Sequence, residues 1–149
     1  MPVEYRWGNI LDAREPFVLH QCNIKSVSPR GLARDVFARF PHSNTYRRGN
    51  GYCRVVGTAS FHAKEGCPTI INAYAEKVPG RCRSVSERDA RLARLETILR
   101  ELPPSVQAVA VPHRLGCGLA GGDWGAHLAM LIRVAEARGG MRIVVYKHK

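Results

Sequence analysis

The chain has 149 residues, 45% of them hydrophobic, enough for one domain with a proper core and too few for two catalytic domains. Lys and Arg number 23 against 12 Asp and Glu, a net charge of +11 that favours phosphates and acidic surfaces as partners without naming the phosphate. No apolar run approaches the roughly 20 residues of a membrane span, and Met1 to Trp7 lacks the apolar core of a signal peptide, so a soluble, intracellular protein with no membrane partner is expected.

In chain order, the segments from Val3 to Trp7, Phe17 to Gln21, Val55 to His62, Thr69 to Ala75, Val106 to Val111 and Ile143 to Tyr146 are short and rich in β-branched or aromatic residues. Each is bounded by Gly, Pro, Asn or Asp, which predicts six strands. Phe17-Val18-Leu19 and Val109-Ala110-Val111 do not alternate with polar residues, as expected of central parallel strands covered on both faces. Between them, helical spacing runs over Leu32 to Phe40, Ser86 to Leu102 and Trp124 to Arg138. Ser86 with Asp89 reads as a capping box at the start of the middle helix, and Arg88, Arg91 and Arg94 read as its solvated face. The order predicts an α/β protein, a three-layer α/β/α sandwich around a mixed, mostly parallel sheet of about six strands, as a single domain over residues 1–149.

The cysteines at 22, 53, 67, 82 and 117 are odd in number and lack a paired short spacing, so reduced thiols are expected. His113 and Cys117 are four apart, but no second close pair accompanies them, and neither a metal nor another cofactor is expected.

In open α/β sheets, ligands lie beyond the carboxyl ends of the strands. After Val111 the chain runs Pro112-His113-Arg114-Leu115-Gly116-Cys117-Gly118-Leu119-Ala120-Gly121-Gly122-Asp123-Trp124, a glycine-rich turn from a central strand into a helix. Its glycines let backbone N–H groups approach a diphosphate, and the helix start adds positive partial charge. No Gly-Lys-Ser/Thr follows, so it is not a Walker loop. After the second strand comes His20-Gln21-Cys22-Asn23, a polar loop from Ile24 to Arg30, and then Gly31-Leu32-Ala33 opening a helix. Asn23 both donates and accepts, which suits the paired hydroxyls of a ribose, and His20 is a candidate proton carrier or, equally, a hydrogen-bonded core histidine. The expected ligand is a diphosphate between two helix starts with a ribose beside it.

Together these segments resemble a macro domain, the ADP-ribose-binding module, over nearly the whole chain. Trp7-Gly8-Asn9-Ile10-Leu11 resembles its first-strand motif, and Leu19-His20-Gln21-Cys22-Asn23 with Gly31-Leu32-Ala33 its first ligand loop. Leu115-Gly116-Cys117-Gly118-Leu119-Ala120-Gly121-Gly122 resembles its second. The His-x-Cys-Asn and Gly-Gly-Asp-Trp strings look closest to the ADP-ribose-1''-phosphate phosphatase branch. The resemblance implies that Asn9 accepts from the adenine amino group and Ile10 offers it a backbone amide. It implies further that Asn23 holds the distal ribose, that amides of Gly31, Leu32 and Ala33 and of Leu115, Gly116, Cys117, Gly118, Leu119, Ala120 and Gly121 bind the diphosphate, and that Tyr146 lines the adenine pocket.

One branch of the family opens the ribose with a lysine at the end of the fourth strand and an aspartate after the Gly-Cys-Gly-Leu string. Here those positions are Glu76 and Ala120, and Lys77 is one residue late, on the opposite strand face. Water-mediated hydrolysis is therefore the expected chemistry, with His20, Asn23 and Asp123 as candidate catalytic residues, although Asp123 at a helix start also suits a capping role. Lys25 or Arg30 would be placed to reach a terminal phosphate. Hydrolysis of ADP-ribose-1''-phosphate or of mono-ADP-ribosylated protein is the leading expectation, by a monomer in the cytoplasm or the nucleus. Two alternatives remain open: a non-catalytic ADP-ribose reader, and weak nucleic-acid binding through the basic surface.

Overall fold

A computed structural model describes residues 2–47, 53–117 and 122–148. Its six strands are β1 (Val3–Trp7), β2 (Phe17–Asn23), β3 (Ala59–His62), β4 (Thr69–Glu76), β5 (Ala108–Pro112) and β6 (Arg142–Lys147). The helices are α1 (Gly31–Arg39), α2 (Val85–Arg100) and α3 (Trp124–Ala137), with single 3₁₀ turns at Ile10–Asp12 and Pro41–Ser43. The strands form one sheet in the order β1-β6-β5-β2-β4-β3, parallel except for β3, which runs antiparallel to β4.

The two runs without polar alternation occupy the sheet's centre, as β2 and β5. Successive residues there feed two different cores. Leu19, Ile71, Val109, Val111, Ile143 and Val145 pack with Leu95, Leu99, Met130 and Leu131 of α2 and α3. Val18, Ile70, Ala110 and Val144 pack with Val36 and Phe37 of α1 on the other face. Strand periodicity of two thus becomes three layers, because both faces of every central strand are apolar and must be covered.

Several boundaries move, each for a physical reason. The expected strand from Val55 begins only at Ala59, because Gly57 takes φ +88° and Thr58 donates both its N–H and its hydroxyl to the Val55 carbonyl, closing a turn. Val106 and Gln107 precede β5 rather than opening it, while β2 and β4 each extend to a polar residue, Asn23 and Glu76. The middle helix begins at Val85, one residue before Ser86, and its cap is Ser84, whose side chain accepts from the N–H of Glu87 at 3.0 Å. Ser-x-x-acid occurs in two overlapping registers, Ser84 with Glu87 and Ser86 with Asp89, and local pattern does not choose between them.

The arginine face of α2 is also not simply solvated. Arg91 is buried and donates to the carbonyls of Gly80 at 2.8 Å and Val78 at 3.2 Å, and Arg94 donates to Ala75 at 3.0 Å. Both pair with Glu87, at 3.5 and 3.0 Å. These two arginines fasten the loop between β4 and α2 to the helix that follows it, satisfying carbonyls that leave the sheet at its end. No helix of the described residues is long and apolar enough to cross a membrane.

The cap assignment has a simple consequence. Ser84→Ala should cost about 1 kcal/mol in chemical denaturation, and Ser86→Ala, at an exposed position in the first helical turn, should stay within about 0.5 kcal/mol of the parent.

Candidate functional site

The carboxyl ends of β2, β4 and β5 open into a cleft of about 990 Å³. Its walls come from three places: the loop from Asn23 into α1, the β4–α2 loop through Pro79, Gly80 and Arg81, and the turn after β5 from Pro112 to Gly116. Because β2, β4 and β5 are mutually parallel, the connections that leave their carboxyl ends lie together at one end of the sheet.

Asn23 sits at a bulge, where the register between β2 and β4 shifts and Asn23 comes opposite Glu76. Its Oδ1 accepts from the N–H groups of Lys25 at 3.0 Å and Ser26 at 2.8 Å, its own N–H donates to Tyr46 Oη at 2.9 Å, and its carbonyl accepts from Arg54 at 3.2 Å. The side chain thus shapes the loop as well as lining the cleft. Beyond it, Gly31 takes φ +56° and opens α1, where Arg30 at the cap position makes no side-chain capping bond. The start of α1, with Gly31, Leu32 and Ala33 all lining the cleft, therefore offers amide donors that no side chain among the described residues occupies.

The second turn is tighter. Gly116 takes φ +75°, and a Cβ there would stand 2.7 Å from Gln21 Oε1 and 2.8 Å from His127 Nε2. Its carbonyl accepts from Gly122 N at 3.0 Å, which closes the turn onto the start of α3. The two helix starts differ, because Asp123 caps α3 by accepting from Gly125 N at 3.0 Å. Asp123 is not among the cleft's lining residues; it borders a separate hollow of about 40 Å³ with Arg88, Asp89 and His127. The structure thus places the capping role of Asp123 on view and leaves the cleft to α1 and to Leu115 and Gly116. Cys117 is buried behind that turn, its thiol 3.6 Å from His127 Nδ1 and pushed by burial up to about 11. Gly118, Leu119, Ala120 and Gly121 lie outside the described residues.

His20 lines the cleft's floor but is 1% exposed, with Nε2 at 2.7 Å from Asn72 Oδ1. Asn72 Nδ2 donates to the Ser43 carbonyl at 2.8 Å, so the amide oxygen is the atom facing His20 and Nε2 carries the proton. Burial lowers the pKa of the imidazole to about 4, which keeps it neutral at physiological pH. It is a donor in a buried chain before it is a proton carrier. That chain continues from Asn72 through Thr45 Oγ1, Tyr74 Oη and Ser60 Oγ to His62.

The residues expected at an adenine lie apart from the cleft's described lining. Asn9 is exposed and caps a 3₁₀ turn by accepting from Leu11 N at 2.9 Å, and Ile10 is buried beside it. Tyr146 is buried, its hydroxyl donating to Glu15 at 2.6 Å and accepting from Arg6 at 2.9 Å and the amide of Arg14 at 3.2 Å. Conversely, the structure adds lining residues that carry no assignment from the sequence: Gln21, Tyr46, Glu76, Arg81, His113 and Arg114. Glu76 and His113 each follow a predicted strand, which was the available signal. Arg30, Arg81 and Arg114 are exposed and form no ion pair among the described residues, so the cleft's rim is cationic. Lys77 is exposed and is not among the lining residues, and no group of three His, Cys, Asp or Glu among the described residues is arranged to hold a metal.

Two outcomes follow from this geometry. Gly116→Ala should lower stability by about 1–3 kcal/mol, read by denaturant unfolding, because the new methyl meets Gln21 and His127 on a left-handed backbone. His20 has a folded-state pKa of about 4 against 6.5 unfolded, so its stabilisation is present above pH 6.5 and is lost as pH falls through 4. The difference in acid sensitivity between the parent and His20→Gln should approach roughly 3 kcal/mol across that window; burial shifts His62, His113 and His127 the same way, and the subtraction isolates His20.

No family model and no curated protein matches the sequence. Solved structures do. The macrodomain of Mycobacterium tuberculosis DarG superposes with a TM-score of 0.73 at 25% identity, covering 97% of this chain and 96% of that one. The macrodomain of Thermus aquaticus DarG gives 0.72 at 22% identity, covering 97% of each. Thermosipho africanus DarTG in complex with ADP-ribose gives 0.70 at 16% identity, covering 98% of this chain and 42% of that one. Matched over almost its whole length by macrodomains, and with the strand order and layers described above, this chain has the macrodomain fold.

Proposed function

We propose that the cleft binds ADP-ribose and that the protein hydrolyses a derivative of its distal ribose, either the 1''-phosphate or an ADP-ribosylated protein. The observation that carries the reading is the start of α1, which has no side-chain cap from Arg30, facing the Leu115–Gly116 turn across a cleft rimmed by three arginines that form no ion pair among the described residues. Backbone donors on two sides and cations at the mouth suit a diphosphate, whose charge is spread over several oxygens. A structural neighbour, Thermosipho africanus DarTG, is in complex with ADP-ribose, which supports the same ligand class.

In this reading Asn23 faces the distal ribose, Gly31 to Ala33 and Leu115 to Gly121 cradle the diphosphate, and the adenine extends toward the end of β1, near Asn9, Ile10 and Tyr146. Protein-linked ADP-ribose would enter with its modified side chain at the open mouth, beside Arg30 and Arg81. The protein acts in this reading as a monomer without a cofactor.

Calorimetric titration tests it. One ADP-ribose should bind per chain, AMP should bind at least tenfold more weakly, and a short oligonucleotide should not compete; Asn23→Ala should weaken ADP-ribose by about tenfold, or about 1.4 kcal/mol. Oligonucleotide binding with a steep salt dependence and no ADP-ribose binding would sink the reading in favour of the basic surface.

A further inference from the structure

Glu76 is the one carboxylate among the described residues lining the cleft. Its charge opposes an anionic ligand, and the other charged side chains among the described lining residues, Arg30, Arg81 and Arg114, favour one. A carboxyl that works against binding needs another role. Its bond to Gln21 joins β2 to β4, but a neutral acceptor would serve that bond as well as a charged one. Oε2 accepts from Gln21 Nε2 at 2.7 Å, but the nearest cation among the described residues, Arg91, stands 3.8 Å from Oε1, beyond hydrogen-bond length. Arg91 spends hydrogen bonds on the Gly80 and Val78 carbonyls instead. The carboxyl is therefore held in place by a neutral amide and left incompletely neutralised, at 8% exposure, on the wall of a large cleft.

We propose that Glu76 is the general base of this cleft, taking a proton from the water that attacks C1'' of the distal ribose. The inference rests on the reading of the cleft as an ADP-ribose site. The oxygen of the water bonds to C1'' as the bond from C1'' to the phosphate or side-chain carboxylate oxygen breaks, and that oxygen departs with the bonding pair. The water's proton passes to Glu76 and from there to solvent or to the departing group, so that ADP-ribose and free phosphate or a free carboxyl are the products. Gln21 is a positioning residue, since its amide fixes the carboxyl and its other atom packs on Gly116. His20, neutral and engaged with Asn72, does not compete for the proton.

Burial raises the pKa of Glu76 from its ordinary value, which makes the carboxylate a better proton acceptor than an exposed one. The groups that face it are Arg91, which opposes the rise, and Glu87, which adds to it, both from α2, with Gln21 from β2. Arg54, on the carbonyl of Asn23, and Arg81, on the cleft wall, are the nearby loop cations.

The experiment compares the parent with Glu76→Gln, measuring ADP-ribose affinity by calorimetry and turnover of ADP-ribose-1''-phosphate and of a carboxyl-ADP-ribosylated protein from about pH 5 to 8. The variant should bind ADP-ribose as tightly or more tightly, because a negative charge has gone, while turnover falls about 100-fold or more. A merely structural role would lower both together. Any rise of the parent's rate with pH that comes from Glu76 losing its proton should vanish in Glu76→Gln. Should Glu76→Gln fail to fold, Glu76→Asp, which keeps the base on a shorter arm, should retain that rise at reduced kcat. Equal turnover by parent and Glu76→Gln, or ADP-ribose binding with no turnover of either substrate, overturns the assignment and leaves the binding reading intact. Failure of the parent to bind ADP-ribose overturns that reading, and the assignment with it.

Discussion

The hydrogen bond from Gln21 Nε2 to Glu76 Oε2, 2.7 Å long, joins β2 and β4 just where their register breaks at Cys22 and Asn23. Each wall of the cleft is referred to that pair. Gln21 Oε1 sits so close to Gly116 that no side chain fits between them, which ties the turn after β5 to β2. Glu76 is the last residue of β4, and the loop that leaves it is drawn back onto α2 by Arg91 through the Val78 and Gly80 carbonyls. Asn23, opposite Glu76, turns the chain toward α1 by accepting two amides of its own loop. An amide and a carboxyl on neighbouring strands thus set the spacing of three connections that share no sequence.

The sheet makes such a site affordable only because its centre is apolar on both faces. Val18 and Leu19, Ala110 and Val111, Val144 and Val145 are all fully buried, and they alternate between the two cores. Polar residues are then concentrated at one end of the strands, where water and ligand can satisfy them. The exception is the chain His20, Asn72, Thr45, Tyr74, Ser60, His62, which crosses beneath α1 toward the antiparallel edge strand. Every link has a partner, so the cost of burying these groups is met by hydrogen bonds, and the lowered pKa of His20 expresses the same burial.

The positive charge divides into working and unpaired portions. Arg91, Arg94 and Arg138 bind backbone carbonyls at the ends of β4 and α2, and Arg6 lies against Glu15 and Tyr146. These are internal fastenings that composition cannot separate from a solvated face. Arg30, Arg81 and Arg114 stand at the cleft instead, where their field adds to that of the α1 start.

The six strands, three helices, their order and the central pair were legible in the chain itself, because the period of apolar residues and the positions of Gly, Asn and Pro are local properties. So were Asn23, Gly31 and Gly116, since a turn that needs left-handed backbone or a local side-chain acceptor announces itself by residue type. The tertiary structure alone decided which of two overlapping serine caps begins α2, that Asp123 serves the start of α3 outside the cleft, and that Tyr146 spends its hydroxyl on Glu15 and Arg6. It alone brought Gln21, Glu76 and Gly116, separated by tens of residues, into contact. Periodicity reports which face a residue occupies, but the distance between two faces is set by packing of the whole sheet and its helices, and neither a pKa nor a hydrogen bond exists until that distance is fixed.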